Sequence, residues 1–261
     1  MKTSTLRSRL ARFFTLLLAL VQRDVTTRYR RSMLGPAWAI LQPLILMVVF
    51  NLIRGVVDIP SEGVPYLIFS YSALVPWTFF SNGLMYCGPS ILSNAAILKK
   101  MALPREVFPL AGVTVALFDL AMSGLILLGM MVWFRVQFTW ALLWLPFLVL
   151  ITGALALGVG MFIAALGVFR RDFVFATPFL AQIWLFATPV IYPLSSVPEK
   201  WQSLYMLNPM VGLIEGFRSV LVKGNPPSLE TLAVSTAVTA LILIVSWPMF
   251  RWISQYFADV L

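Results

Sequence analysis

The chain has 261 residues, of which 60% are hydrophobic and only 11% are charged, and its mean hydropathy is +0.91. A soluble domain carries about 25% charged residues, so the composition excludes an ordinary soluble protein and indicates a polytopic membrane protein. The apolar segments are long and lack the alternation of a transmembrane barrel, so we expect an all-α fold.

The net charge of +9 favours membrane topology over nucleic-acid binding, because Lys and Arg flank the apolar segments instead of forming one patch. The sequence contains no His, which excludes His-based acid–base chemistry and leaves no cluster of metal ligands. The single cysteine, Cys87, cannot form an intrachain disulfide.

Residues 1–31 begin the chain with an apolar stripe and end in a basic cluster. The stripe is Leu6, Leu10, Phe13, Leu17 and Val21. The alternative interpretation is a secretory signal peptide, but Gln22-Arg23-Asp24 stands where small residues would mark cleavage. We therefore predict an amphipathic helix that lies in the membrane interface.

Six transmembrane helices are predicted downstream, at 36–53, 65–86, 107–134, 140–168, 177–192 and 229–250. An inner segment, 88–105, follows the second span. A longer outer segment, 193–228, precedes the last span and is predicted to hold two short helices, about 199–207 and 209–222. Most of the Lys and Arg then lie on one side, which predicts that both termini are cytoplasmic.

Polar residues within the spans are few. Asp119 is the clear acidic candidate at membrane depth, and one isolated acid makes a weak case for ion-coupled transport. The small residues Thr152, Ala156, Gly160 and Ala164 recur every four positions in the fourth span, which suits either packing within the chain or a contact between subunits. No Gly-x-x-x-x-Gly-Lys-Ser/Thr motif is present, so any ATP hydrolysis requires another chain.

Two motifs resemble a known family. They are similar to segments of ABC-2-type permeases that export polysaccharides. The first motif is Arg28-Tyr29-Arg30-Arg31-Ser32 with Leu34-Gly35-Pro36 and Trp38. The second motif is Leu207-Asn208-Pro209-Met210 followed by Glu215-Gly216-Phe217-Arg218. The inner Leu103-Pro104-Arg105 also matches. Among subfamilies the chain resembles the O-antigen exporters of the Wzm type most.

The resemblance implies a single ABC-2-type transmembrane domain over 1–261, in the bacterial cytoplasmic (inner) membrane. It implies a homodimer with two copies of an ATPase subunit that binds ATP and Mg, with no cofactor in this chain. The expected substrate is an undecaprenyl-diphosphate-linked polysaccharide, and membrane lipids are the surrounding partners. Guanidinium groups suit phosphate oxygens, and the residues expected at the substrate diphosphate are Arg28, Arg30 and Arg31.

Three further sets of residues receive roles from the resemblance or from their aromatic rings. Trp77, Tyr86, Trp184 and Tyr192 are candidates for lining a sugar pathway, and membrane anchoring or packing is their ordinary alternative. An outer gate is expected at Trp201, Tyr205, Asn208, Pro209 and Arg218. ATPase docking is expected at Arg12, Arg23, Asn94, Lys99, Lys100, Arg170 and Arg171.

Other functions stay open at this point. The chain could be an ABC-2 exporter of capsule, teichoic acid, or small amphiphiles and drugs. A membrane glycosyl- or phosphoglycosyltransferase is a different class, and it would need clustered acids at the interface. Asp58 and Glu62 are too sparse to suggest such a site, so we expect a transporter permease rather than an enzyme.

Overall fold

The computed structural model describes residues 6–30, 32–57, 59–100 and 103–257, and this part of the chain folds as a bundle of α-helices. In chain order they are α1 (Leu6–Tyr29), α2 (Ala37–Val57), α3 (Tyr66–Cys87), α4 (Ser90–Ser93), α5 (Ala95–Lys100), α6 (Val107–Trp133), α7 (Leu145–Phe169), α8 (Asp172–Phe186), α9 (Glu199–Met206), α10 (Pro209–Arg218) and α11 (Leu229–Ser254). A 3-10 turn, Trp140–Trp144, leads into α7, and a π-helical turn, Ser219–Lys223, extends α10.

Four helices among the described residues are long and apolar enough to cross a membrane: α2, α6, α7 and α11. The second predicted span corresponds to α3, which has 22 residues, of which 18 are buried. Because α3 is surrounded by protein rather than lipid, it can carry Ser, Tyr, Trp and Asn and is therefore less apolar than the others.

The fifth predicted span is displaced along the chain, because α8 begins five residues before the predicted start at 177 and ends six residues before the predicted end at 192. The prediction of a helix through residue 192 is wrong, because α8 has 15 residues and ends at Phe186. At 1.5 Å per residue it covers about 22 Å, less than the roughly 30 Å of a hydrocarbon core. Pro189 follows closely, and the residue before a proline is biased away from helical geometry.

The segments that follow α3 and α8 both contain short helices. Residues 88–100 include α4 and α5, which are separated at Asn94. Asn94 lies at this break, and its side-chain amide donates to the carbonyl oxygen of Ser90 (2.8 Å). In the segment that was predicted to be outer, α9 and α10 coincide closely with the two predicted helices.

Helix α7 packs in the centre of the bundle between α3 and α11. A Cβ added at Gly160 would lie 2.5 Å from the sulfur of Cys87 on α3, and one added at Gly158 would lie 2.8 Å from Ile242 on α11. Thr152, Ala156 and Ala164 are buried beside Gly160. The small-residue face therefore packs within the chain, which resolves the alternative that the sequence left open.

Helix α1 lies along one side of the bundle, where its C-terminal half contacts α6. Leu20 and Tyr29 are buried, while Phe13, Leu17 and Val21 pack against the core. Leu10, Phe14 and Leu18 remain exposed on the same helix, at 50%, 57% and 66%. The predicted stripe is thus shared between the bundle and a surface that is open to the membrane interface.

Candidate functional site

Asp119, near the middle of α6, is the centre of a buried polar cluster. Its side chain is 2% exposed. Oδ1 accepts a hydrogen bond from the hydroxyl of Tyr29 (2.5 Å), and Oδ2 accepts from Tyr86 (2.7 Å) and from the amide of Asn82 (3.0 Å). The cluster therefore joins α1, α3 and α6 through one carboxyl group.

The donor role of Tyr29 is secured by its surroundings. Burial and the adjacent Asp119 raise the pKa of the Tyr29 phenol above its ordinary value, while Arg28 lowers it to a smaller extent. The phenol consequently stays protonated at physiological pH and donates to the carboxyl. The Asp119 carboxyl group accepts hydrogen bonds from three donors, and buried carboxyl groups ordinarily have such partners.

Arg28 lies directly beside this cluster. Its guanidinium carbon is 3.6 Å from the centroid of the Tyr86 ring, a cation–π contact. Tyr86 was predicted as a pathway-lining residue, and the structure instead places its hydroxyl in the Asp119 cluster and its ring under Arg28. Arg30 is exposed in the turn after α1, and Arg31 lies outside the described residues.

A cavity of about 620 Å³ opens between α1 and the α4–α5 segment, next to Arg28 and Tyr86. The guanidinium of Arg23 donates from Nη2 to Asn94 Oδ1 (2.8 Å) and forms an ion pair with Asp24 (2.6 Å). Two of the residues expected to dock an ATPase, Arg23 and Asn94, are therefore brought together although they are 71 positions apart.

The other expected docking residues lie on separate exposed surfaces. Arg12 is exposed on α1, and Lys99 and Lys100 are exposed at the end of α5. Arg170 and Arg171 are exposed in the short connection between α7 and α8. Exposure is what a docking residue requires.

Arg218 organises a second buried polar cluster. It is 1% exposed, and its guanidinium donates to the carbonyl oxygens of Pro189 (2.7 Å), Tyr192 (3.3 Å) and Val190. It also pairs with Glu215 (2.9 Å) and stacks on the ring of Phe69 at 3.9 Å. One side chain thus satisfies the backbone of the turn that follows α8, where helical bonding has ended.

Asn208 also binds the turn that follows α8 and connects it to the start of α10. Its carbonyl oxygen accepts from Trp184 Nε1 (2.9 Å) and from the backbone N–H of Met210 (3.1 Å), so it caps α10, where Pro209 is the first residue. Its amide group donates to Thr188 Oγ1 (2.9 Å) and to the carbonyl of Ala187 (3.2 Å).

The remaining aromatic candidates differ in exposure. Trp77 is 4% exposed and contacts Phe80 in the core, so within this protomer it is a packing residue rather than part of an open surface. Trp184 is half-buried against Phe80. Near the outer end, the hydroxyls of Tyr192 and Tyr205 are 3.4 Å apart, and Trp201 is 50% exposed.

Several partners in these clusters were not anticipated from the sequence. Tyr29, Asn82 and Tyr66 belong to them, the last donating to the carbonyl of Ile191 (2.9 Å). Asn82 carried a usable signal, because an amide inside an apolar span requires a hydrogen-bond partner. The spacing of Asn82 and Tyr86, one helical turn apart, also places them on one face.

Comparison with known proteins gives a consistent result. The family model for the ABC-2 type transporter matches residues 15–222. An O-antigen export system permease protein from Myxococcus xanthus is 33% identical over 251 residues, which is 94% of each chain. One from Klebsiella pneumoniae is 26% identical over 95% of each chain, and the Escherichia coli polysialic acid transport protein is 26% identical over 86% of this chain and 89% of its own length.

Proposed function

Because the chain belongs to the ABC-2 type transporter family, we propose that it is the permease subunit of an ATP-driven exporter of polysaccharide, most specifically O-antigen. The observation that carries this proposal is the similarity to O-antigen export permeases, which extends over nearly the whole chain. Capsule export is the second candidate, supported by the similarity to polysialic acid and capsule export proteins.

The proposed substrate is a polysaccharide attached to undecaprenyl diphosphate in the inner leaflet. Arg28 supports this assignment because it is exposed despite its contact with Tyr86, so its remaining N–H groups are accessible to phosphate oxygens. Arg30 follows Arg28 by two positions and is also exposed. We place the diphosphate beside these two guanidinium groups, where the basic end of α1 meets the membrane.

The proposed energy source is a pair of separate ATPase subunits. The hydrogen bond between Arg23 and Asn94 joins α1 to the α4–α5 segment beside the cavity that opens between them. The Tyr29–Asp119 contact then ties α1 to α6 inside the membrane. A displacement of α1 by the ATPase would accordingly be transmitted to α3 and α6 through the Asp119 cluster.

The proposed outer gate is formed by the turn that follows α8 together with the short helix α9. Arg218 and Asn208 hold its backbone, while Trp201, Tyr205 and Tyr192 present aromatic and hydroxyl surfaces near it. Aromatic rings offer a face for sugar C–H groups and hydroxyls offer hydrogen bonds. We place the glycan pathway between two copies of the chain, with this turn at its outer mouth.

The experiment for the ATP-driven mechanism is affinity purification of the tagged full-length chain from native membranes in several mild detergents, followed by mass spectrometry. The proposal expects a stoichiometric ATPase subunit together with a second copy of this chain. Recovery of the chain without an ATPase in every detergent would contradict the proposed mechanism.

A further inference from the structure

The inner ends of α6 and α11 enclose a basic pocket, and at its edge lie Lys99 and Lys100 of the segment that we assign to ATPase docking. Its volume is about 920 Å³, and it is bounded by the loop before α6 and by the last turns of α11. We propose that this pocket binds the headgroup of an anionic phospholipid from the inner leaflet.

The charge of the lining supports an anionic ligand. Lys99, Lys100, Arg105 and Arg251 contribute four cationic side chains, and Glu106 contributes the acidic one among the described lining residues. The Glu106 carboxylate pairs with Arg251 at 3.2 Å. Without counting Lys99, the cations Lys100, Arg105 and Arg251 still outnumber the Glu106 carboxylate among the described lining residues, and this excess of positive charge attracts phosphate.

Two of these cations have partners within the fold. Arg251, whose side chain is 68% exposed, pairs with Glu106, and the guanidinium carbon of Arg105 is 5.9 Å from the ring centroid of buried Phe257. Partially ordered cations lose less conformational freedom when a ligand arrives than mobile surface lysines do. These contacts favour a basic lining that is gathered around the pocket.

The position of the pocket favours a lipid over a soluble anion or an acidic protein. Trp252 lines it with a side chain that is 62% exposed and contacts Tyr256, a pair of rings typical of the membrane–water interface. Leu98 and Leu103 add apolar surface beside the cations. A concave basic pocket between membrane helices with interfacial aromatics is the arrangement that suits an acidic lipid headgroup.

A bound headgroup would add to the contacts between two elements, the loop that leads from α5 into α6 and the end of α11, which the Glu106–Arg251 and Arg105–Phe257 contacts already join. Through α5 it would also stiffen the inner segment that we assign to ATPase docking. The proposal therefore predicts that acidic phospholipids stabilise the inner end of this protein.

The test is a titration of the full-length protein in mild detergent with phosphatidylglycerol, with bound lipid counted by native mass spectrometry. A single cation near a membrane surface contributes about fivefold in affinity. The double variant Lys100→Gln/Arg105→Gln should thus bind phosphatidylglycerol about 25-fold more weakly. The matched control, Arg170→Gln/Arg171→Gln, loses the same charge outside the pocket and should change binding less than about twofold.

Three additional measurements distinguish an anionic phospholipid from other ligands of the pocket. Phosphatidylcholine should bind poorly, and equal binding of both phospholipids would overturn the proposal. Displacement of phosphatidylglycerol by an equal concentration of inorganic phosphate would identify a free-anion site instead. Preferential binding of undecaprenyl diphosphate would assign the pocket to the export substrate.

A last comparison addresses protein docking and folding. If the double variant loses a co-purifying ATPase but binds phosphatidylglycerol normally, the pocket is a protein-docking surface and the lipid proposal is wrong. If the double variant does not fold, Arg251→Gln replaces it, with an expected loss of about fivefold. Unchanged phosphatidylglycerol binding by folded Arg251→Gln would equally contradict the proposal.

Discussion

The hydroxyl of Tyr29 and the carboxyl group of Asp119 are 2.5 Å apart, although 90 positions separate them in the chain. This hydrogen bond joins the last residue of α1 to the middle of α6, which is long and apolar enough to cross a membrane. Because Tyr86 and Asn82 on α3 bind the same carboxyl, α1 is attached to both α3 and α6. The contact gives α1 a defined mechanical connection to the bundle.

Tyr29→Phe should destabilise the protein by about 1.5 kcal/mol and lower export. The substitution removes one donor from a buried carboxyl and keeps the ring that packs on Phe118. Thermal unfolding in detergent measures the change in stability, and surface glycan measures export. Tyr256→Phe is the matched control, since Tyr256 is 47% exposed and should tolerate loss of its hydroxyl. Equal stability of the two variants would contradict the importance of the Tyr29–Asp119 bond.

Gly160→Ala should destabilise the bundle by about 2 kcal/mol, and Gly160→Glu should prevent folding or assembly. The new Cβ would lie 2.5 Å from Cys87 Sγ, so α3 and α7 would have to separate. The control is Gly124→Ala on α6, where nothing lies within 4 Å of the added atom, and stability should be unchanged or slightly higher. Normal recovery and activity of Gly160→Glu would show that this face is open.

Arg218→Met should cost roughly 3 kcal/mol and disturb the outer turn. The change leaves the carbonyls of Pro189, Val190 and Tyr192 without their donor in a buried environment. Arg218→Lys should recover only part of the loss, because one ammonium group cannot reproduce the fork of a guanidinium. Lys200→Met, which removes an exposed cation on α9, is the control for charge. If Arg218→Lys had the same unfolding temperature as the wild type, the forked guanidinium group would not be required to bind the three carbonyl oxygens.

Asn208→Ala should destabilise α10 by about 1 kcal/mol through loss of its N-terminal cap. Asn208→Asp should retain the cap but lose the donations to Thr188 and Ala187, and its stability should fall between that of wild type and Asn208→Ala. Denaturant or thermal unfolding of the three proteins checks this order. Identical stability of Asn208→Asp and Asn208→Ala would show that the cap contributes nothing.

Arg28→Gln combined with Arg30→Gln should lower export several-fold without reducing the amount of protein in the membrane. The other basic residues at the inner end maintain topology, whereas the two guanidinium groups, one of them at the cavity, would no longer meet a diphosphate. Quantitative blotting of membranes and of surface glycan separates insertion from export. Normal export in this variant would refute a substrate role for both arginines.

The sequence predicted the individual helices well where a local pattern defined them. Four helices, α2, α3, α6 and α11, begin within one residue of the predicted start, because each long apolar run is bounded by Pro, Gly or a charge. The predicted start of the fourth span, at residue 140, is the first residue of the 3-10 turn that leads into α7. The end of α8 was missed because Ala187 to Tyr192 are as apolar as a helix. The turn that follows α8 contains Pro189, and its carbonyl groups are bound by Arg218, which lies 26 to 29 positions away.

The polar clusters could be predicted only in part, for a related reason. Asp119 was recognisable as an acid in an apolar run, and Arg218 and Asn208 were recognisable through the family motif. Their partners depend on how α1, α3, α6 and α8 pack, and no periodicity within one helix encodes that arrangement. The role of Tyr86 illustrates the difference, because its hydroxyl binds a carboxyl that lies 33 positions further along the chain.

The measurement that tests the central claim most directly is export in the native bacterium after deletion of the gene for this chain. Surface polysaccharide and undecaprenyl-diphosphate-linked glycan are quantified in the deletion strain, and again after the wild-type gene is restored. The account predicts that surface polysaccharide is lost, that lipid-linked glycan accumulates on the cytoplasmic side, and that restoration reverses both changes. Normal surface polysaccharide with no accumulated lipid-linked glycan would contradict the account.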